Sequence, residues 1–177
     1  MAINHQEEAL LVRKAQRGDR DALGTLWDRV TPKLFGYLVN VTRDKTVAED
    51  ILQSTWLRAI DALPRFQERG IRIEAWLFAI ARNECRTHWR ASKKEVAFDP
   101  VEHDKVGDNR QEIHDKLLVE KMLALLSEDD REILHLRYIA DLAPNDIAHL
   151  LHINFVAVRV RLHRATARAR AALSSTL

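Results

Sequence analysis

The last 25 residues constrain the fold most, because they join a helix-forming sequence to a purely basic charge. From Ile153 to Leu177 there are five arginines and no Asp or Glu. Asn154 is a favourable helix N-cap, and Ala-rich sequence without Gly or Pro follows it. At about 100° per residue, one stripe of this helix is apolar. It consists of Val158, Leu162, Ala165, Ala169 and Leu173. A second stripe carries arginines, and we predict an amphipathic helix with a basic face.

The residues before this helix indicate what the basic face does. Residues 141–151 predict a short helix with Pro144 in its first turn, and residues 152–154 form a three-residue turn. Two helices joined this tightly, the second one basic, predict a helix-turn-helix whose second helix enters the major groove of DNA. A solvated basic face is the alternative. The candidate DNA-reading residues are Ala157, Arg159, Val160, Arg161, Arg164 and Arg168.

The charge is distributed unevenly along the chain. Residues 1–92 carry 15 Lys/Arg and 12 Asp/Glu, residues 93–152 carry 8 and 14, and residues 153–177 carry 5 and none. Two basic ends around an acidic middle predict two separate contacts with anionic partners. Cys85 is the only cysteine, which excludes a disulfide framework and fits a reducing cytoplasm. No apolar run is long enough to span a bilayer. Five Gly, four Pro and no alternating apolar strands predict an all-α fold.

The first half of the chain predicts four helices. The first covers residues 7–17, with Leu10, Leu11 and Ala15 inward, and Asp19 caps the second. Thr31 and Pro32 predict the start of a third. A capping box at residues 46–49 predicts a fourth that runs to about Leu63. On its outer face, at spacings of three and four, lie Asp50, Gln53, Leu57 and Asp61. A solvated face is the ordinary interpretation of such residues, but an apolar Leu57 among polar neighbours indicates a protein partner as the alternative.

A basic loop at residues 64–72 separates this helix from a long one that begins near Ile73. Trp76 is expected in the core. Arginines interleaved with an aromatic residue suit phosphates and unstacked bases, so we predict a single-stranded nucleic-acid surface here. Its candidate residues are Arg65, Arg69, Arg72, Arg82, Asn83, Arg86, Trp89 and Arg90.

The predicted domain organisation follows from composition. Residues 1–92 form an N-terminal helical domain, the charged residues 93–112 form a flexible linker, and residues 113–177 form the helix-turn-helix domain. Within the last domain we predict a helix over residues 112–126 and a capping box that starts at Ser127. The helix after this box is expected to bury Ile133, Leu134, Leu136, Tyr138 and Ile139.

Five stretches resemble, in order, the extracytoplasmic-function (ECF) class of bacterial RNA polymerase sigma factors. They are residues 15–23, 48–53, 76–83, 131–138 and 158–165. This resemblance implies two helical domains that bind core RNA polymerase and promoter DNA without a cofactor, in the cytoplasm. The face with Asp50 and Gln53 would dock on the largest polymerase subunit. Residues 64–90 would trap the non-template strand of the −10 element, and the terminal helix would read the −35 element. An anti-sigma protein is a further partner that the family implies.

Several positions depart from the family pattern. Ser54 and Thr87 stand where acidic residues are usual, and His152 replaces the usual turn glycine. Residues 156–157 are Val-Ala instead of Gly-Thr, and Val160 replaces a serine. Since Ala157 and Val160 cannot hydrogen-bond a base edge, we expect them to pack on thymine methyl groups.

Two other classes of function are considered. A helix-turn-helix regulator that acts without polymerase would need its own dimer interface, and it would leave the first domain unexplained. A nucleic-acid enzyme would need a metal or nucleophile site. Only His149 and His152 have helical ligand spacing, with no third ligand nearby. We therefore expect no catalytic site and no metal.

Overall fold

A computed structural model describes residues 5–68, 70–95, 119 and 122–174. The chain forms two compact units, Met1–Pro100 and Val101–Leu177. All regular structure in the described residues is helical, which confirms the all-α prediction. Apart from residues 93–95, which are helical, the predicted linker lies outside the described residues. No helix in the described part of the chain is long and apolar enough to cross a membrane.

The first unit contains four helices. They are α1 (His5–Gln16), α2 (Arg20–Thr42), α3 (Lys45–Ala62) and α4 (Ile73–Glu95), with a short 3-10 helix at Leu63–Arg65. Helix α1 packs on α2, and α2, α3 and α4 pack on one another. The core contains an edge-to-face pair of Tyr37 and Phe78, whose ring centroids are 5.3 Å apart. Aromatic pairs of this geometry stabilise a core beyond the area they bury.

The predicted break at Pro32 does not occur, because α2 continues through it. An interior proline costs about 3 kcal/mol in a helix, since it removes a hydrogen bond and crowds the preceding turn. Here the apolar stripe on both sides of Pro32 is continuous: Leu26, Val30 and Leu34 are all buried. Burial of that stripe offsets the cost of the interior proline. Tertiary packing therefore overrides the local sequence signal for a helix start at Thr31 and Pro32.

One detail at the helix starts differs from prediction. Asp19 caps α2 as predicted, since its Oδ1 accepts hydrogen bonds from the backbone N–H of Asp21 and Ala22. For α3, however, the cap is Asp44 and not Thr46. The Oδ1 of Asp44 accepts from the N–H of Val47 at 3.0 Å. Arg43 takes a left-handed conformation that ends α2 and brings Asp44 into the cap position two residues earlier than predicted.

Ala15 faces inward as predicted and Leu11 is half-buried, but Leu10 is exposed, contrary to prediction, and the inward face of α1 also carries Glu8 and Val12. Glu8, Val12 and Ala15 have the spacing of one helix face. Apolar periodicity alone does not indicate this face, because one of its members is a carboxylate. Glu8 is buried with two arginine partners, described below.

Cys85 lies in the buried face of α4. Burial raises the pKa of its thiol to about 12, and the neighbouring Glu84 charge acts in the same direction. The thiol therefore stays protonated near neutral pH and packs as a small apolar side chain.

The second unit contains α5 (Glu128–Leu134), a π-helical turn (His135–Ile139), α6 (Pro144–Leu151) and α7 (Phe155–Ser174). Ser127 caps α5 as predicted, because its hydroxyl accepts from the N–H of Asp130. Tyr138 was predicted to be buried but is exposed. The N–H of Ala140 donates to the carbonyl of His135, so the turn holds an extra residue and Tyr138 leaves the buried face.

The predicted helix-turn-helix is confirmed. His152 takes a left-handed conformation with φ 55°, and the N–H of Ile153 donates to the carbonyl of Ala148, which closes α6. The side chain of Asn154 then accepts from the N–H of Ala157 at 2.7 Å and starts α7. Val158, Ala165 and Ala169 are buried, so the predicted inner stripe of α7 faces the core.

Helix α7 is held to α5 by an ion pair between Arg168 and Asp130. The Asp130 carboxylate is buried, whereas the Arg168 side chain is partly exposed. In the second half of the predicted capping box, the Asp130 carboxylate would accept from the N–H of Ser127. It accepts from Arg168 instead. Arg168 therefore has a structural partner within the second unit, and because its side chain is 56% exposed, its contact with DNA stays a prediction.

Arg168→Ala is expected to destabilise the second unit by about 1–3 kcal/mol, because it leaves a buried carboxylate without its charged donor. Hydrogen exchange of residues 128–174 measures this effect. Arg170→Ala is the matched control, since Arg170 is exposed on the same helix. Equal protection in both variants would contradict a structural role for Arg168.

Candidate functional site

The outer face of α3 is exposed as predicted. Asp50, Gln53, Leu57 and Asp61 all lie in solvent, and Leu57 is 64% exposed. Opposite them, Ala48, Ile51, Thr55 and Ala59 are buried against the rest of the first unit. The face combines two carboxylates, an amide and an exposed leucine, a composition that suits a protein partner with basic and apolar groups.

One further residue extends this face. Ile60 is 45% exposed and lies three residues from Leu57, so the two side chains are neighbours on the helix surface. Ile60 is not among the residues predicted from the sequence, although its spacing from Leu57 is a usable signal. Together they form a larger apolar area than Leu57 alone.

An ion pair fixes the orientation of α3 on α4. The Nε of Arg58 lies 2.8 Å from the Oε1 of Glu84, which is almost fully buried. Because this pair crosses the interface between α3 and α4, it holds the helix that carries the outer face against α4.

The basic loop after α3 is anchored at several points. Phe66 is buried with its ring centroid 4.8 Å from that of Trp76. The side-chain amide of Gln16 donates to the carbonyls of Leu63 and Phe66, at 3.1 and 2.7 Å. Arg65 is exposed within this framework, and Arg69 lies outside the described residues.

Arg72 is held in an ion-pair network. Its Nη2 lies 2.7 Å from Oε2 of Glu8, and the same oxygen accepts from Arg29 at 3.0 Å. Glu8 is only 1% exposed, and its buried charge is compensated by the two guanidinium groups. Arg72 is the residue just before α4, and its carbonyl accepts from the N–H of Trp76 in the first turn of that helix. This pairing joins α1, α2 and the start of α4.

The C-terminal half of α4 carries the remaining predicted single-strand residues. Asn83, Arg86 and Arg90 are exposed, Arg82 is half-buried, and Trp89 is 40% exposed. Their spacings of three and four place them along two adjacent rows of the helix surface. The structure therefore brings two arginines and an exposed aromatic ring together on one solvent-facing surface.

Helix α7 presents its predicted basic residues to solvent. Arg159, Val160, Arg161 and Arg164 are exposed, while Ala157 is half-buried. Arg168 is exposed as well, although it also forms the ion pair with Asp130. At the start of the helix, Phe155 and Val156 are also exposed, by 44% and 67%. These two residues are not among the predicted DNA-reading residues, although their position just after the Asn154 cap is visible in the sequence.

The described residues contain no group of three or more His, Cys, Asp or Glu side chains that could hold a metal ion. His149 and His152 are both exposed. The arrangement is that of binding surfaces on helix faces.

The sequence matches two protein families in succession. Residues 26–95 match the family described as Sigma-70 region 2, and residues 116–172 match Sigma-70, region 4. The first match covers α3 and α4 with their exposed faces. The second covers the helix-turn-helix.

Three known proteins illustrate the similarity. The ECF RNA polymerase sigma factor ShbA of Streptomyces griseus is 30% identical over 176 residues, which cover 91% of this chain and 92% of ShbA. The ECF RNA polymerase sigma factor BldN of Streptomyces coelicolor is 27% identical over 162 residues, covering 88% of this chain but 61% of BldN. CnrH, solved in complex with the cytosolic domain of CnrY, has a TM-score of 0.74 at 25% identity, covering 95% of this chain and 97% of CnrH.

The Glu8 network generates a prediction for the start of α4. Glu8→Ala is expected to destabilise the first unit by about 1–3 kcal/mol, because two partly buried guanidinium groups lose their acceptor. Hydrogen exchange should increase in the first turn of α4, which follows Arg72. Asp28→Ala is the control, since Asp28 is an exposed carboxylate next to Arg29. Unchanged exchange at residues 73–77 would show that the network does not support this turn.

Proposed function

The chain belongs to the ECF sigma factors, which bind core RNA polymerase and direct it to specific promoters, and from this membership we propose a task for each exposed surface. Residues 1–92 bind polymerase and act on the −10 element. Residues 93–112 form the linker, and residues 113–177 recognise the −35 element. One observation carries this assignment: each unit exposes its own basic helix face, on α4 and on α7.

The outer face of α3 is the polymerase-binding surface in this proposal. Asp50, Gln53 and Asp61 supply polar contacts, and Leu57 with Ile60 supplies the apolar area. Full burial of a leucine side chain stabilises a complex by about 1.5–3 kcal/mol. A helix-turn-helix regulator that acts without polymerase would not require this face, which is why we favour the sigma assignment for it.

The end of α4 is the proposed single-strand surface. Arg86 and Arg90 contact phosphates, Asn83 offers hydrogen bonds to a base, and Trp89 stacks on an unstacked base. Arg65, Arg69 and Arg82 complete the basic surroundings. Arg72 contributes indirectly, because its pairing with Glu8 supports the start of the helix that carries the other residues.

Helix α7 is the proposed −35 reader. Arg161 and Arg164 are the candidates for bidentate contact with guanine, while Ala157 and Val160 pack on thymine methyl groups. Arg159 lies on the same exposed part of the helix.

Three further properties follow from the proposed role. The protein acts in the cytoplasm, where RNA polymerase works, and it has no enzymatic activity of its own. CnrH was solved with the cytosolic domain of CnrY, and the structural relative RpoE of Bartonella quintana with the anti-sigma factor NepR. By analogy, an anti-sigma protein regulates this chain.

The docking assignment is tested with the double variant Asp50→Lys and Leu57→Ala. We expect its affinity for core polymerase to fall by at least about tenfold, which corresponds to roughly 1.4 kcal/mol. Titration of fluorescently labelled protein with core polymerase measures this. Both residues are exposed, so the unfolding transition should not change. Asp28→Lys is a matched control, because Asp28 is an exposed carboxylate on α2. Polymerase affinity equal to that of wild type would exclude this face.

The single-strand assignment is tested in the holoenzyme with Trp89→Ala. Loss of one stacked base costs about 1–3 kcal/mol, so open complexes should dissociate faster by roughly fivefold to a hundredfold. Trp89→Phe is the control, since it keeps an aromatic face. A promoter with a pre-melted −10 segment should bind the Ala variant less tightly as well. If the variant binds that template as wild type does, Trp89 does not stack on the strand.

A further inference from the structure

We propose that an apolar ridge at the start of α7, formed by Phe155, Val156 and Val160, selects promoters by the methyl groups of −35 thymines. The proposal rests on the assignment of α7 as the −35 reader and adds the residues that determine its specificity. Val156 is its centre, because it is the most exposed of the three.

The two valines of the ridge lie opposite the buried stripe of α7. Val158, Ala165 and Ala169 are buried in the second unit, whereas Val156 and Val160 are 67% and 41% exposed. Val156 and Val160 are four residues apart and therefore neighbours on the outer surface. Phe155, at the first position of the helix, lies about 100° around the axis from Val156 and flanks the valines on the side of Arg159. The N-terminal residues of a recognition helix are those that contact base edges in the major groove.

Valine is an unfavourable residue for this position unless it contacts something. β-branched side chains lower helix stability relative to alanine, and an exposed valine gains little from packing within its own chain. Two such valines on successive turns of the outer face therefore indicate an external apolar surface. In the major groove the thymine C5-methyl supplies one, and it distinguishes thymine from cytosine.

The surroundings of the ridge indicate that this external surface belongs to DNA. The guanidinium carbon of Arg159 lies 6.0 Å from the centroid of the Phe155 ring, so a cation flanks the ridge on one side. Arg161 and Arg164 are exposed on the same helix, and residues 153–177 contain no acidic side chain. An apolar ridge with arginines beside it and no acidic residue on its helix complements a polyanion that also offers methyl groups.

The test uses holoenzyme with full-length protein and a duplex library whose −35 segment is randomised. Sites are selected with wild type, and each selected thymine is then replaced by deoxyuridine, which lacks only the methyl group. We expect wild-type affinity to fall about fourfold at one or more positions, as for one buried methyl group. Val156→Ala should abolish the methyl dependence at one of them, and Val160→Ala at the same position or a neighbouring one.

Two controls separate this effect from misfolding. Valine to alanine at an exposed helix position raises helix propensity, so unfolding of α7 cannot explain a loss. Val119→Ala removes an exposed valine elsewhere in the second unit and should keep the full methyl dependence. Phe155→Leu should retain part of the methyl dependence, because leucine is still apolar.

The outcomes distinguish failure of the ridge proposal from failure of the assignment of α7 as the −35 reader. If Val156→Ala and Val160→Ala keep the full wild-type dependence on every thymine methyl, the ridge does not read thymine. If Arg161→Ala still lowers specific binding in that case, α7 remains the −35 reader. If wild-type holoenzyme selects no −35 sequence at all, both the assignment and the ridge are overturned.

Discussion

The structure depends on cations that neutralise buried carboxylates at helix junctions. Glu8 accepts from Arg29 and Arg72, Glu74 from Lys33 and Asp130 from Arg168, and Glu84 forms an ion pair with Arg58. Removal of one partner from such a pair leaves a charge in a poorly solvated place, which is much more costly than loss of a surface pair. These pairs therefore fix how the helices of each unit sit on one another.

The same pairs divide the basic residues by role. Arg58, Arg72 and Arg168 each have a carboxylate partner inside their own unit, so much of their charge is compensated within the fold. Arg86 and Arg90 on α4, and Arg161 and Arg164 on α7, are exposed on faces whose opposite sides are packed. DNA binding requires such exposed cations on a rigid support. The functional surfaces are thus the basic helix faces that remain after the structural pairs have formed.

Much of this was predictable from the sequence, since helix periodicity and caps are local signals. The inner and outer faces of α3, the Asp19 and Asn154 caps and the helix-turn-helix agree with prediction. Two errors arise where contacts between helices decide: continuous burial carries α2 through Pro32, and Asp130 engages Arg168 from another helix. The π-turn that exposes Tyr138 is local, but it adds a residue that regular helix periodicity does not anticipate.

The central claim is that the two basic faces contact different parts of one promoter. Site-specific photocrosslinkers at positions 86 and 161, in separate holoenzymes bound to an open promoter, test it most directly. We predict that position 86 crosslinks to the unpaired non-template strand of the −10 segment and position 161 to duplex DNA of the −35 segment. Crosslinking of both positions to the same segment, or of position 86 to duplex DNA alone, would contradict the account.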